Sequence, residues 1–259
     1  MRAIWNGAIG FGLVNIPIKI YSATDSSTLD LDMLDKKDLS NIRFKRVNEQ
    51  TGKEVKWDNI VKGYKIDDKY VVLEDEDFEA AMPEKTKIIS ITQFVKEQEI
   101  DSTLFETPYF LEPQKNGEAA YSLLMKALSK TKMAGIGSFV MRDREILGMI
   151  RPFGDKILLL NRLRYPTEIR DFSELKVPAR KTTKAAELKM AEALINSLAG
   201  PFDPTEFKDS YNEQLLKIIK KKAKGKKIKV PTVKEQESKA SDLMAMLKAS
   251  LEKGNKSAS

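Results

Sequence analysis

Trp5-Asn-Gly-Ala-Ile-Gly-Phe-Gly-Leu-Val-Asn-Ile-Pro-Ile-Lys-Ile20 is the stretch that decides the fold class. Val14, Ile16, Ile18 and Ile20 are separated by single residues, the period-2 pattern of a half-buried strand. Ile9, Phe11 and Leu13 alternate in the opposite phase, and the switch falls beside Gly12, where a bulge would fit. Pro17 has no N–H for a ladder hydrogen bond, which points to an edge or bulged position. Working outward, short β-type runs recur at residues 70–73, 88–95, 109–111, 136–141, 146–150 and 157–160. Turn chemistry at 48–52 and 153–155 separates some of them. Many short strands with spaced turns predict a barrel or sandwich over residues 1–170.

One helix interrupts the strands. Across 117–130, Tyr121, Leu124, Met125 and Leu128 recur at i, i+3, i+4 and i+7, with Asn116 as the expected cap. That stripe reads as a core-facing surface. After Pro166 the character changes. Residues 184–199 form an amphipathic pattern with Leu188, Ala191, Ile195 and Leu198 on one side, stopped by Gly200 and Pro201. Asp203-Pro-Thr-Glu206 has capping-box spacing and is expected to open a second helix with the stripe Phe207, Tyr211, Leu215 and Ile218. Two helices set apart from a strand-rich body each need another surface over their apolar faces.

Composition narrows the chemistry. The chain has no Cys and no His, so disulfides, thiol or imidazole zinc sites and His-based nucleophilic catalysis lack their residues. Gly10-Phe-Gly12 and Gly135-Ile-Gly137 lack the third glycine of a dinucleotide loop, and no phosphate-loop pattern occurs. We expect no cofactor, no catalytic residue and no metal site. No apolar run reaches the ~18 residues that a membrane span requires. Residues 1–10 do not read as a secretory signal, so a cytoplasmic protein is expected.

The net charge is +7, and its distribution carries more meaning than its size. Arg43, Lys45, Arg46, Lys53 and Lys56 lie on a hairpin-like element around the 48–52 turn. They fit either a loop crossing a duplex, with cations on phosphates, or a solvated β surface. Arg142 and Arg144 sit at a strand end, where Asp143 and Glu145 offer salt bridges instead. Arg151, Arg162, Arg164 and Arg170 add charge late in the strand-rich region. From 214 to 234 there are nine lysines and no acid, Lys220, Lys221, Lys222, Lys226 and Lys227 among them. Polyanion binding would relieve their repulsion. Trp5 and Trp57 stand isolated in the sequence, without the interleaved aromatics of an RNA module. The acidic segment 67–79 reads as a solvated loop and helix start, with a Mg²⁺ site as the alternative. A last amphipathic stretch, 241–252, carries Leu243, Met244, Leu247 and Leu251.

Several segments are similar to those of one family. Met1-Arg-Ala-Ile-Trp-Asn-Gly-Ala-Ile-Gly-Phe-Gly-Leu-Val-Asn-Ile-Pro-Ile-Lys-Ile-Tyr21 closely resembles the opening of bacterial Ku proteins. So do Ile42-Arg-Phe-Lys-Arg-Val-Asn48, Gly52-Lys-Glu-Val55, Ile60-Val-Lys-Gly-Tyr64 and Tyr70-Val-Val-Leu73. Glu106-Thr-Pro-Tyr-Phe-Leu-Glu-Pro113, Arg151-Pro-Phe153 and Asp242-Leu-Met-Ala-Met-Leu-Lys-Ala-Ser-Leu251 continue the likeness over nearly the whole chain.

The resemblance implies a mainly β fold with α: a seven-stranded β-barrel core, a helical arm and a flexible basic C-terminal tail. The expected divisions are 1–170 for the core with its DNA-encircling bridge, 171–213 for a dimerising arm, and 214–259 for a Lys-rich linker and docking helix. It further implies a homodimeric ring on double-stranded DNA ends and ATP-dependent ligase D as partner, in non-homologous end joining. A nucleoid-associated location goes with that role. With the resemblance, Arg43, Lys45, Arg46, Lys53 and Lys56 are favoured as phosphate contacts, together with Arg142, Arg144 and the lysine tract. Leu243, Met244, Leu247 and Leu251 are the expected ligase-facing residues. A general DNA-coating protein and a carboxylate–Mg²⁺ nuclease are the alternatives.

Overall fold

A computed structural model describes residues 1–81, 86–177 and 184–226. The chain forms two compact units. The first comprises residues 1–26 and 30–171, and the second takes in 27–29 and the chain from 172 onward.

The first unit is built on β1 (Trp5–Phe11), β2 (Val14–Ser22), β5 (Ile88–Lys96), β6 (Phe105–Pro113), β7 (Met133–Met141), β8 (Arg144–Phe153) and β9 (Ile157–Leu163). These seven strands close into a barrel in the order β1-β2-β6-β9-β8-β7-β5. All neighbours are antiparallel except β1 and β5, which run parallel. The alternation seen in the sequence becomes the inside of the barrel. Ile16, Ile18 and Ile20 of β2 meet Ile9, Ile89, Leu111, Ile150, Leu158 and Leu160 in one core, all fully buried. Each such side chain contributes about 1.5–3 kcal/mol through burial. Trp5 fixes the start of β1: its indole N–H donates to the Val140 carbonyl at 3.0 Å, and its ring meets Phe139 edge-on.

The phase switch near Gly12 is a turn, not a bulge. Phe11 and Val14 pair directly, leaving Gly12 and Leu13 as a two-residue hairpin loop. Gly12 has φ +55° and Leu13 does not share the positive φ, the arrangement of a type II′ turn, which needs glycine first. Leu13 is fully exposed because it is the turn residue. Pro17 is neither on an edge nor bulged: it pairs with Ala8 of β1. Its carbonyl accepts from the Gln114 N–H at 2.9 Å, one position beyond the last β2–β6 pair, Ile18 with Pro113. The hydrogen bond that proline lacks is therefore the one at the end of a ladder.

One end of the barrel is stoppered by α2 (Glu118–Thr131), whose Tyr121, Leu124 and Leu128 enter the core. Gly117, not Asn116, is the cap, and Asn116 turns the chain with φ +71°. The Tyr121 hydroxyl donates to the Leu111 carbonyl and accepts from the Leu158 N–H, both at 2.6 Å. Leu111 and Leu158 are the last pair of the β6–β9 ladder, so the phenol stitches its end. Burial raises the Tyr121 pKa and keeps the donor protonated. A second, smaller cluster, with Met149 and Leu163 fully or nearly buried, lies under Ile100, Leu104 and Phe105.

The opposite end carries the excursion 23–87, which leaves after β2 and returns at β5. Residues 70–73 do not join the barrel: β3 (Lys62–Ile66) and β4 (Lys69–Leu73) form a separate two-stranded sheet, followed by α1 (Asp75–Ala81). No residue of β3, β4 or α1 is buried.

In the second unit, α3 (Ala185–Leu198) and α4 (Ser210–Ala223) bury no residue. The capping pattern at 203–206 makes only a single 3₁₀ turn, with the Asp203 carboxylate accepting from the Thr205 N–H. α4 starts later, capped by Asp209 through the Asn212 N–H at 3.1 Å. Phe207 thus lies outside the helix whose stripe it was expected to begin.

Two substitutions test this account of the barrel. Tyr121→Phe leaves a buried carbonyl and N–H without their partner and should cost ~1–3 kcal/mol by urea unfolding with an unchanged m-value. Gly137→Ala would drive a Cβ into the Ser90 backbone carbonyl across the β5–β7 ladder, and a loss of ~1–3 kcal/mol or more is expected. Wild-type stability in either variant would contradict the packing described.

Candidate nucleic-acid interface

The cationic element of residues 42–57 is a short hairpin held by few bonds. Val47 and Glu54 make an isolated bridge, flanked by Asn48 N–H to Lys53 carbonyl and Val55 N–H to Arg46 carbonyl, both 2.9 Å. The turn is organised by Asn48, whose side-chain oxygen accepts from the Gln50 and Thr51 N–H groups at 3.0 Å. Gly52, at φ +64°, closes it. All five predicted cations lie on this hairpin and are exposed, but they are not equivalent.

The Lys45 ammonium donates to the Glu54 carboxylate at 2.6 Å, and that hydrogen bond and charge raise the lysine pKa. Arg46 lays its guanidinium over the Trp57 ring, 4.5 Å from the centroid. Arg43, Lys53 and Lys56 form no salt bridge among the described residues. An exposed pair such as Lys45–Glu54 is screened by water and contributes little, so a phosphate oxygen competes for that ammonium at little cost. Sequence reading missed the Arg46–Trp57 stack and took Trp57 as isolated. The signal was the 48–52 turn, which folds the chain leading to Trp57 back past Arg46.

Arg142 lies within the tight β7–β8 turn and Arg144 closes it, paired with Met141. Both central residues, Arg142 and Asp143, have positive φ, 52° and 64°, as in a type I′ turn where Asn and Gly are preferred. Neither arginine forms a salt bridge among the described residues. They line a cavity of about 450 Å³ with Ser22, Tyr109, Glu145 and Arg162, at the barrel end where the excursion is rooted. Arg162 is committed to Glu106 at 2.8 Å, and Arg151 to Glu97 and the Asn161 side-chain oxygen at 3.3 Å. Arg164 donates to the carbonyls of Thr103 and Phe105. These three arginines hold structure together. No hydrogen bond or salt bridge joins the 42–57 hairpin to the 142–144 turn among the described residues.

In the second unit, Lys220, Lys221 and Lys222 occupy the last turn of α4, where the helix macrodipole favours cations by about 0.3–1 kcal/mol each. The helix stops in a Schellman motif: Lys226 N–H reaches the Lys221 carbonyl at 3.1 Å and Gly225 N–H the Lys222 carbonyl at 2.9 Å. Gly225 supplies the required φ of +68°. Lys217, Lys220 and Lys221 share one side of α4, opposite Tyr211, Leu215, Ile218 and Ile219. Lys227, Leu243, Met244, Leu247 and Leu251 lie outside the described residues.

The acidic segment opens α1, with Asp75, Glu76 and Asp77 in its first turn and the Asp77 carboxylate accepting from the Glu74 N–H at 2.9 Å. Among the described residues its carboxylates do not gather into a group of three or more able to hold a cation. The nuclease alternative gains no support from it. Nor is any helix of the described residues long and apolar enough to cross a membrane.

The family model of the Ku70/Ku80 beta-barrel domain matches residues 10–190, from the end of β1 through the rest of the barrel. The non-homologous end joining protein Ku of Pseudomonas aeruginosa is 38% identical, over 96% of this chain and 88% of that protein. Its counterpart in Archaeoglobus fulgidus is 41% identical, over 97% of this chain and 99% of that protein. The Coxiella burnetii protein of the same name is 36% identical over 98% and 96%. A closed seven-stranded barrel, a family match across most of it and relatives alike over almost their full length lead to one assignment: this chain belongs to the Ku family.

Proposed function

We propose that two copies of the chain form a ring that takes double-stranded DNA ends without regard to sequence, in non-homologous end joining. In this reading the protein is a non-catalytic scaffold that holds the duplex by its phosphates and recruits ATP-dependent ligase D. The names of its relatives support the pathway. The observation that carries the mode of binding is the state of the cations. Arg43, Lys53, Lys56, Arg142 and Arg144 have no acidic partner among the described residues, and the end of α4 is a run of lysines. Lysine ammonium groups and unpaired guanidinium groups on exposed turns suit phosphate oxygens, which carry no sequence information. The place of action is the cytoplasm, on the nucleoid.

The proposed dimer rests on uncovered apolar surface. Leu188, Ile195 and Leu198 of α3 are 52%, 67% and 75% exposed, and Tyr211 of α4 is 72% exposed. Short helices are stable mainly through packing of such faces, and a second copy would supply the cover. The ligase-facing segment is proposed at 241–252, with Leu243, Met244, Leu247 and Leu251 as the apolar contacts.

Three measurements bear on this reading. With about 6–10 phosphate contacts per dimer, duplex affinity should fall ~10³–10⁵-fold between 50 and 200 mM salt. Replacing Lys220, Lys221 and Lys222 by Ala should flatten that slope, and a slope near zero in the wild type would exclude phosphate-driven binding. Sedimentation equilibrium should give a dimer, reduced to monomer by Leu188→Asp with Ile195→Asp; a monomeric wild type would remove the ring. Deleting residues 235–259 should abolish ligase stimulation while leaving DNA binding in place, and intact stimulation would refute docking through that segment.

A further inference from the structure

The cationic hairpin has two unlike faces. Around the Val47–Glu54 bridge Arg46 stands opposite Val55, whose N–H donates to the Arg46 carbonyl, and two residues further on Trp57 opens a single 3₁₀ turn. Side chains two apart along an extended strand share a face. Phe44 and Val55 therefore share a face with Arg46, and the Arg46 guanidinium reaches over the ring of Trp57. The other carries Lys45 and Glu54, joined by their salt bridge.

The first face is unusual for a solvated surface. The Phe44 ring is 82% exposed and Trp57 is 67% exposed, although burying either would release considerable apolar area. Trp57 is not bare: the Arg46 guanidinium lies over its ring, 4.5 Å from the centroid, yet most of the residue remains exposed. Arg43, Lys53 and Lys56 stand nearby without salt bridges among the described residues. Flat π surfaces bordered by cations match one chemistry well, a nucleobase stacked on a ring with its phosphates held alongside. Bases inside a duplex are already stacked and present only their edges to a protein. An unpaired base at a frayed or overhanging end has its face free.

We infer that Phe44, Arg46 and Trp57 form a stacking platform for unpaired bases at DNA ends, with Trp57 as its principal ring. The platform rests on the end-binding reading and extends it. The phosphate contacts hold the duplex, and the aromatic face adds affinity for ends that carry a single-stranded tail. Stacking tolerates any base, so the preference is for tails as such and not for their sequence.

Binding of the full-length protein to a blunt duplex is compared with binding to the same duplex bearing oligothymidine tails. The tailed duplex should bind about fivefold more tightly or better, as expected for one base on one ring. In Trp57→Ala that ratio should fall to one, and in Phe44→Ala it should fall part of the way. Oligothymidine alone should quench tryptophan emission in the wild type, and the quench should vanish in Trp57→Phe, which keeps a ring but removes the indole. Circular dichroism and thermal melting of each variant separate loss of the platform from loss of fold, and the wild-type quench is independent of any variant. If blunt duplex binds but tails add nothing, or if the gain survives Trp57→Ala, the platform is refuted while end binding stands. If blunt duplex does not bind, end binding is refuted. Absence of any quench by oligothymidine refutes the platform whatever the duplexes do.

Discussion

The barrel closes along its shortest seam, where Ala8, Ile9 and Gly10 of β1 run parallel to Ile88, Ile89 and Ser90 of β5. Every other pairing is antiparallel and longer. Ile9 and Ile89 are fully buried at the seam, so apolar packing holds what three rungs of hydrogen bonding hold weakly. Opening it would expose two strand edges, each a template for wrong pairing. The seam also dictates the path of the chain. β2 and β5 flank β1 on either side, and β2 ends at the barrel end where β5 begins. The chain must cross that end to close the barrel, and residues 23–87 do so, carrying the cationic hairpin with them. Arg142 and Arg144 turn at the same end, while α2 fills the other. Closure thus separates packing from the charged turns.

Charge alone does not single out a binding surface in a chain this ionic. Arg151, Arg162 and Arg164 are as basic as Arg43, yet their hydrogen-bonding capacity is spent on Glu97, Glu106 and the backbone carbonyls of residues 103 and 105. Arg43, Lys53 and Lys56 share their hairpin with Glu49 and Glu54; Lys45 has claimed Glu54, and the three cations form no salt bridge among the described residues. A solvent-exposed cation without a local partner keeps its hydration until a phosphate replaces it, so such residues answer to salt.

The barrel was legible because its strands are half-buried and write their inner face into the sequence as alternating Ile and Val. The helix stripe of Tyr121, Leu124 and Leu128 was legible for the same reason at a period of 3.6. Local chemistry decided the points that were misread. A glycine between two alternating runs fits a bulge or a two-residue turn, and only the pairing of Phe11 with Val14 separates them. The run at 70–73 has strand composition, but its partner is β3 and not the barrel, and composition does not encode partners. At the candidate interface, the cations were visible while their neutralisation was not. Lys45 meets Glu54 and Arg46 meets Trp57 across a turn, at sequence distances that no periodicity reveals.

Large apolar side chains remain uncovered in both units, among them Phe44 and Tyr64 in the first and Leu198 and Phe202 in the second. A chain that leaves so much apolar area to water is incomplete by itself. The proposed ring of two copies around a duplex would cover this surface and engage the lysines together. It also makes a topological demand that a simple adhesive protein does not: DNA must enter by an end. The most direct measurement is competition for the protein between labelled linear duplex and unlabelled covalently closed circles of the same length and sequence. The account predicts that the circles compete poorly and that cutting each once restores full competition. Circles that compete as well as the cut DNA would contradict it.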